Sequence, residues 1–519
     1  MNLIRTTPHV LDPDYERVSD PVLIRERFSQ YLTDESQLQG DIPLSITFPR
    51  SIDQLAAILA DHHGKKEPTT FSAARSGVVS AAVPVGRTHL ISLERLVGIS
   101  SFAVDEQSGE PYISILAGTP LSAIDDYLNA DHPQYYYPVD PTYRHSTIGG
   151  NISTNASGAR TYHYGSTRNW VRGLTVILSS GEMIRFRRGE IQGDNGRFEL
   201  ITAAGTRRLD AAPVRIPNTK NSVGYHYTGE VDLIDIFVAA EGTLGVIAEA
   251  EIRLAPRPEH RLYFLQFFED TAAAFKFAAE VQTPALKLLA VEFVDKRSLQ
   301  IAATHPLRGS SRALQALRPE FSAAVFLDLE LGNGDDLDPA YQIIAGLLEN
   351  AGADVDDSIA GTEDRDLADI KFFRHAIPEM INRLVAQRKI SIPRLHKIST
   401  DMAVPAAALR ELFDYYQLIL SGLGLDYFIF GHFGNGHLHV NVVPKTEEEL
   451  DNFIKVYLDF GREVIRLGGA VAGEHGIGRI KKEFLQLQYA ADELETLRRI
   501  KTFFDPDWLL NPGVLIDRR

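Results

Sequence analysis

Tyr137–Glu182, YPVDPTYRHSTIGGNISTNASGARTYHYGSTRNWVRGLTVILSSGE, is the densest loop sequence in the chain. Within it Thr147-Ile148-Gly149-Gly150-Asn151 is followed at once by Thr154-Asn155-Ala156-Ser157-Gly158. Small residues let backbone N–H groups approach an anion or a flat ring without interference from Cβ atoms. A lone Gly-Gly pair is ordinarily only a turn, but two such clusters in succession predict a cradle for a pyrophosphate. The G-x-G-x-x-G spacing behind a strand is missing, so no Rossmann site is predicted.

Around this loop, from Thr69 to Pro256, short β-rich runs (THLISLE, YISILAG, LTVILSS, EMIRFRR) alternate with loops rich in glycine and asparagine. Upstream, SIDQLAAILADHHG predicts an amphipathic helix capped by Ser51, with Leu55, Ile58 and Leu59 on its buried face. Residues 14–36 are polar and helix-compatible. Downstream, EIRLAPRPEH (251–260) ends a strand in two prolines, which places a boundary near Pro258. Beyond it come strands YFLQFF and AAVFLDLELG, helices around 270–281, 339–352, 405–421 and 446–467, and a hairpin-like GLDYFIFGHFGNGHLHVNVVP. The fold class is therefore α+β, and its second half is an antiparallel sheet covered by helices. The expected division is 1–257, 258–500 and a tail at 501–519.

A chain of 519 residues needs at least two cores. With 44% hydrophobic and 24% charged residues it is globular in composition. A net charge of -16 disfavours a nucleic-acid surface. The absence of cysteine excludes disulfides, thiolate nucleophiles and cysteine-ligated iron–sulfur clusters within the chain, so redox chemistry would need a borrowed cofactor. No stretch reads as a transmembrane segment. The start, MNLIRTTPHVLDPDYERVSD, lacks the marks of a secretory signal. A cytoplasmic location is expected, with peripheral membrane attachment left open.

Gly431-His432-Phe433-Gly434-Asn435-Gly436-His437-Leu438-His439-Val440-Asn441 carries three histidines in eight residues. Strand alternation puts His437, His439 and Asn441 on one face, with Leu438, Val440 and Val442 toward the core. The glycine turn can fold His432 back toward His439. Single histidines are mostly structural, but three on a turn and a polar strand face predict a site. Glu474-His475, flanked by Gly473 and Gly476, adds a carboxylate and an imidazole.

Several of these segments together resemble the FAD-linked oxidases of the vanillyl-alcohol oxidase and p-cresol methylhydroxylase (PCMH) superfamily, in the D-lactate and D-2-hydroxy acid dehydrogenase branch. The resemblance is carried by Pro138-Val139-Asp140-Pro141, TIGGN, NASGARTYHYG, Glu241-Gly242-Thr243-Leu244-Gly245-Val246-Ile247, GHFGNGHLHVN, GEHGIG and DPDWLLNPG. It implies a two-subdomain PCMH-type FAD-binding domain followed by a cap domain that binds metal and substrate. FAD would lie along Arg75, Ser76, Gly77, Pro138, Asp140, Thr147, Gly149, Gly150, Asn155, Ser157, Gly158, Glu241, Gly242, Ile247 and Asn511. The first flavin loop of this family is usually richer in glycine than Ser72–Ala82 of this chain; the replacements are all small, so FAD binding is expected to persist.

From the same resemblance, His432, His439 and Glu474 would bind a divalent metal, which could be zinc, manganese, iron or cobalt. His475 would be the catalytic base beside the carbinol carbon of a small 2-hydroxy acid. Arg374 and Lys397 resemble basic contacts for the substrate carboxylate, and Asn441 also faces the substrate. His437, where many relatives have asparagine, would be a donor or proton relay rather than a metal ligand. Ser399 stands where the family's dicarboxylate users carry a lysine, which points to a monocarboxylate such as D-lactate. Quinone, an electron-transfer flavoprotein, a cytochrome and oxygen all remain open as electron acceptor. Two other readings stand beside this one: a non-redox FAD transferase of the alkylglycerone-phosphate synthase type, and a flavin-poor metal-binding homologue.

Overall fold

The computed structural model describes residues 15–202, 205–332, 336–395 and 398–518. Its largest sheet lies in the second half and has seven antiparallel strands in the order Ser358–Gly361, His260–Phe268, Ala323–Leu331, Lys287–Asp295, Tyr427–His432, His437–Val442 and Ile398–Ser399. Alternation along a strand decides what each face buries. Leu262, Phe264 and Phe268 join one core cluster, while Tyr263, Leu265 and Phe267 join another on the opposite face. The first face is covered by helices Thr271–Glu280, Leu337–Ala351, Leu409–Gly422 and Glu447–Arg466, and the second by Lys296–Ala302 and Asp364–Lys389. Strands buried on both faces read as continuous apolar runs, which is why YFLQFF and AAVFLDLELG stand out in the sequence.

Among the described residues the first half holds three smaller sheets of four or five strands. One orders Glu16–Val18, Ile46–Phe48, His89–Ser92 and Thr69–Ser72, and its last three strands run parallel. Helix Ile52–Gly64 packs beside it, with Ser51 accepting a hydrogen bond from the Gln54 N–H as its sequence predicts. A second sheet orders Ile99–Val104, Pro111–Leu116, Val246–Arg253, Val171–Ile177 and Met183–Arg187, all antiparallel. The third lies between Gln192 and Asp232.

Two expectations change. The helix-compatible stretch at 14–36 contains the strand Glu16–Val18 paired with Ile46–Phe48, followed by a helix only over Pro21–Arg27. Asp20 caps that helix through Val22 and Leu23, and Pro21 occupies its first turn, a start signal that excludes a helix running through. The return of the chain to the first half also begins before residue 501. Helix Ala491–Phe504 already packs there: Thr496 Oγ1 donates to the Ala212 carbonyl, and the Phe504 ring meets Phe237 at 5.1 Å. Leu510 then bridges to Thr69. Among the described residues no helix is long and apolar enough to cross a membrane.

Candidate active site

The hairpin Tyr427–His432 and His437–Val442 places Phe430 opposite His439 and His432 opposite His437. Its turn closes at Gly436, whose φ of +63° and position against the Val404 carbonyl, 1.9 Å from where a Cβ would stand, leave room only for glycine. Both outer histidines are oriented from behind. His432 Nδ1 donates to Glu292 Oε1 at 2.7 Å, and His439 Nδ1 donates to the Thr400 carbonyl at 3.2 Å. Their Nε2 atoms then face Glu474, at 3.5 Å and 3.2 Å respectively.

Glu474 and His475 sit on a turn fastened to one buried carboxylate. Asp401, 1% exposed, accepts the Glu474 N–H on Oδ1 and the His475 N–H on Oδ2, each at 3.0 Å, and pairs with Lys481 at 2.9 Å. Glu474 is gripped from the first half as well: Lys220 Nζ lies 2.6 Å from Oε2, and Ser157 Oγ donates to the same oxygen at 3.4 Å. The His475 ring stacks on His439 at 5.5 Å, with Nε2 at 3.5 Å from Glu474 Oε1.

Burial raises the Glu474 carboxyl, but Lys220 and His432 outweigh it and hold the group well below the usual carboxylate range. Glu292 is likewise raised by burial and pulled down by His432 and Arg374, to about 2. Burial lowers His475 to about 4, keeping the imidazole neutral, the form a base requires. Burial also lowers His437 well below an ordinary histidine. One atom each from His432, His437, His439 and Glu474 lie within 4.8 Å of one another. Two oriented imidazoles and an ionised carboxylate fit a divalent ion in donor type.

His432, His439, Glu474 and His475 open into one cleft of about 1480 Å³ shared by the two halves. Its other wall is made by Ser72–Ala82, the small-residue loop 146–158, Glu241 and Asn511. Among the described residues the backbone N–H groups of Ala74 through Val79 have no hydrogen-bond partner, and Arg75 adopts a left-handed φ of +56°. Successive free donors in such a loop suit an anion, and with an adjoining cleft of this volume they fit an extended dinucleotide. Glu241 joins the walls, accepting the N–H groups of Ile477 and Gly478 at 2.8 Å each. Burial raises it to about 7.

Most of the residues singled out from sequence meet in this cleft. Arg75, Ser76, Gly77, Asp140, Thr147, Gly149, Gly150, Ser157, Gly158, Glu241, Gly242, Ile247 and Asn511 line it on one side, and Arg374, His432, His439, Asn441, Glu474 and His475 on the other. Three do not line it. Pro138 is buried behind Tyr137. Asn155, at φ +51°, closes a helix end and binds the Asn221 carbonyl and the Arg168 N–H. His437, expected beside the substrate as a donor or proton relay, is instead fully buried behind Glu474, with its Nε2 3.3 Å from Asp401. Its strand register puts it at the closed end of the hairpin, opposite His432. Lys397 lies outside the described residues. Arg374 is paired with Glu292 at 2.7 Å, and Asn441 offers a buried Nδ2 without a partner among the described residues.

Sequence reasoning missed Glu292, Lys220, Asp401 and Lys481. Glu292 leaves a trace, as an acid in the middle of the apolar strand KLLAVEFVD. Lys220 leaves none.

Comparison with known proteins identifies the family. Residues 43–187 match the family model described as FAD binding domain, and residues 257–515 match FAD linked oxidases, C-terminal domain. A D-2-hydroxyglutarate dehydrogenase of Xanthomonas citri pv. viticola is 29% identical over 482 residues, covering 92% of this chain and 89% of its own. A D-lactate dehydrogenase of Anaerostipes hadrus is 25% identical over 515 residues, covering 98% and 97%. A solved alkyldihydroxyacetonephosphate synthase shares the fold, with a TM-score of 0.62 at 15% identity over 92% of this chain and 77% of that one.

Proposed function

The chain belongs to the FAD-linked oxidase family, as an oxidoreductase of the D-lactate and D-2-hydroxyglutarate dehydrogenase type, and we propose that it oxidises a small D-2-hydroxy acid to the 2-oxo acid. The observation that supports this most is the convergence of His432, His439, Glu474 and His475 on the cleft walled by loops 72–82 and 146–158. In this reading His432, His439 and Glu474 hold a divalent metal, His475 stands beside the substrate, and the two loops hold FAD.

Bound FAD would supply the acceptor for the hydrogen and the two electrons that leave the substrate Cα. The metal would supply a positive charge that lowers the pKa of the substrate hydroxyl. The remaining work falls to side chains. Arg374 presents a guanidinium to the substrate carboxylate, a geometry that a planar fork suits better than an ammonium. Asn441 lines the same end of the cleft, and its buried, unpartnered Nδ2 would be the donor for a substrate oxygen. His475, neutral and held through its backbone by Asp401, takes the hydroxyl proton onto a ring nitrogen. Ser399, beside Asn441 in the sheet, adds no charge to this end of the cleft, which favours a monocarboxylate of lactate size. With no cysteine in the chain, electrons leave to an external acceptor: a quinone, an electron-transfer flavoprotein or a cytochrome.

The test is anaerobic mixing of the yellow protein with a panel of D- and L-2-hydroxy acids, followed at the flavin band. Bleaching by D-lactate or a near homologue, and not by the L series, is expected. Protein that carries flavin yet is bleached by no D-2-hydroxy acid would defeat the proposal.

A further inference from the structure

Taking His432 as a metal ligand and Arg374 as the partner of the substrate carboxylate, as proposed above, we infer that Glu292 is a positioning residue that sets both at once. Glu292 does not line the cleft, and it reaches the site through His432 and Arg374. It stands on strand Lys287–Asp295, where Phe293 pairs with Gly431 and Val294 with Phe430, so the antiparallel register brings residue 292 alongside His432. At 5% exposure it is an acid inside an apolar strand, a placement that persists only when the charge is fully paired.

Its two oxygens serve two different partners. Oε1 accepts from His432 Nδ1 and Oε2 accepts from an Arg374 Nη, both at 2.7 Å. A carboxylate can only accept, so Glu292 holds a proton on Nδ1, and Nε2, the atom that faces Glu474, is the nitrogen left to offer its lone pair to a metal. The same carboxylate anchors Arg374 partway along helix Asp364–Lys389, whose Pro378 leaves the Arg374 carbonyl without its helix bond. One buried acid thus ties the ligand geometry to the carboxylate clamp.

This makes Glu292→Gln diagnostic. Arginine can only donate, so the glutamine carbonyl must face Arg374, and its NH2 group then faces His432 Nδ1. That nitrogen must become an acceptor, which moves the ring proton to Nε2 and removes the lone pair a metal needs. Glu292→Met loses both contacts.

The experiment titrates zinc(II) into metal-stripped, FAD-loaded wild type, His439→Ala, Glu292→Gln, Glu292→Met and Arg374→Met. It then measures, at saturating zinc, the D-lactate concentration that half-saturates anaerobic flavin bleaching. Glu292→Gln is expected to bind zinc about 10–100-fold more weakly, with D-lactate half-saturation close to wild type. Arg374→Met should show the reverse, and Glu292→Met, if it folds and keeps FAD, both effects. Wild-type zinc affinity in Glu292→Gln overturns the inference while the site proposal stands. A wild type that binds no zinc that His439→Ala abolishes overturns both, and the first two titrations alone reveal it.

Discussion

Glu241→Gln tests the contact that joins the two halves. The wild-type carboxylate is 3% exposed, accepts the N–H groups of Ile477 and Gly478, and is raised by burial from an ordinary 4.5 to about 7. Those two N–H donors and, less strongly, Lys481 pull the other way without prevailing. A carboxyl whose folded pKa lies above its unfolded one favours folding in its protonated form. Its contribution is therefore complete below pH 4.5 and is lost as pH rises through about 7. The loss is ~3 kcal/mol, at 1.36 kcal/mol per pH unit of displacement. Glutamine has no such titration, but its single carbonyl serves one N–H and leaves the other facing an NH2 group, at a pH-independent cost of about 1–3 kcal/mol. Urea unfolding of FAD-loaded wild type and variant should show the variant less stable at pH 5, with the two converging or crossing by pH 8. Curves that stay parallel from pH 5 to 8 would refute the buried, protonatable Glu241 described here.

The remaining predictions concern the cleft. Purified protein should be yellow, with close to one FAD per chain, and Gly150→Val, which sets a branched side chain where only Thr147 Oγ1 stands nearby, should lose most of its flavin absorbance while the apoprotein keeps its far-ultraviolet spectrum. His439→Ala should lower divalent-metal affinity by more than about 100-fold, beyond the effect of an outer partner, with FAD content unchanged; unchanged metal content would remove His439 from the ligand set. His475→Ala should slow flavin reduction by D-lactate about 100–10,000-fold in single-turnover mixing, and a normal rate would remove it as base.

How much of this was legible in the sequence follows from how local each signal is. The hairpin histidines sit within eight residues, and period-two alternation with a glycine turn is enough to bring His432 and His439 together. The double-sided strands of the large sheet announce themselves as apolar runs for the same local reason. Helix Pro21–Arg27 was legible too, in Asp20-Pro21, but the polar composition around it masks the short strand at Glu16–Val18, which exists only because Ile46–Phe48 lies beside it. His437 shows the limit of alternation. Strand period places it on the same face as His439, but whether that face is cleft or interior at a given register depends on Asp401 and Glu474, which arrive from elsewhere.

The groups that escaped sequence reasoning are those whose purpose exists only after the halves dock. Glu474 belongs to the second half by sequence, but its charge is balanced by Lys220 and its oxygen is shared with Ser157, both from the first. Lys220 has a side chain only 2% exposed and rests in a loop with no periodicity to mark it. Such a lysine is tolerable only against a buried carboxylate, and Glu474 ionised in that place is tolerable only against cations. Each therefore conditions the other across the cleft. The same holds for Glu241, whose acceptors are satisfied by the turn that carries His475 rather than by its own neighbours. Whatever binds along loops 72–82 and 146–158 thus lies against a surface whose electrostatics depend on the second half being in place, and a substrate entering beside His475 meets charges already fixed by the first.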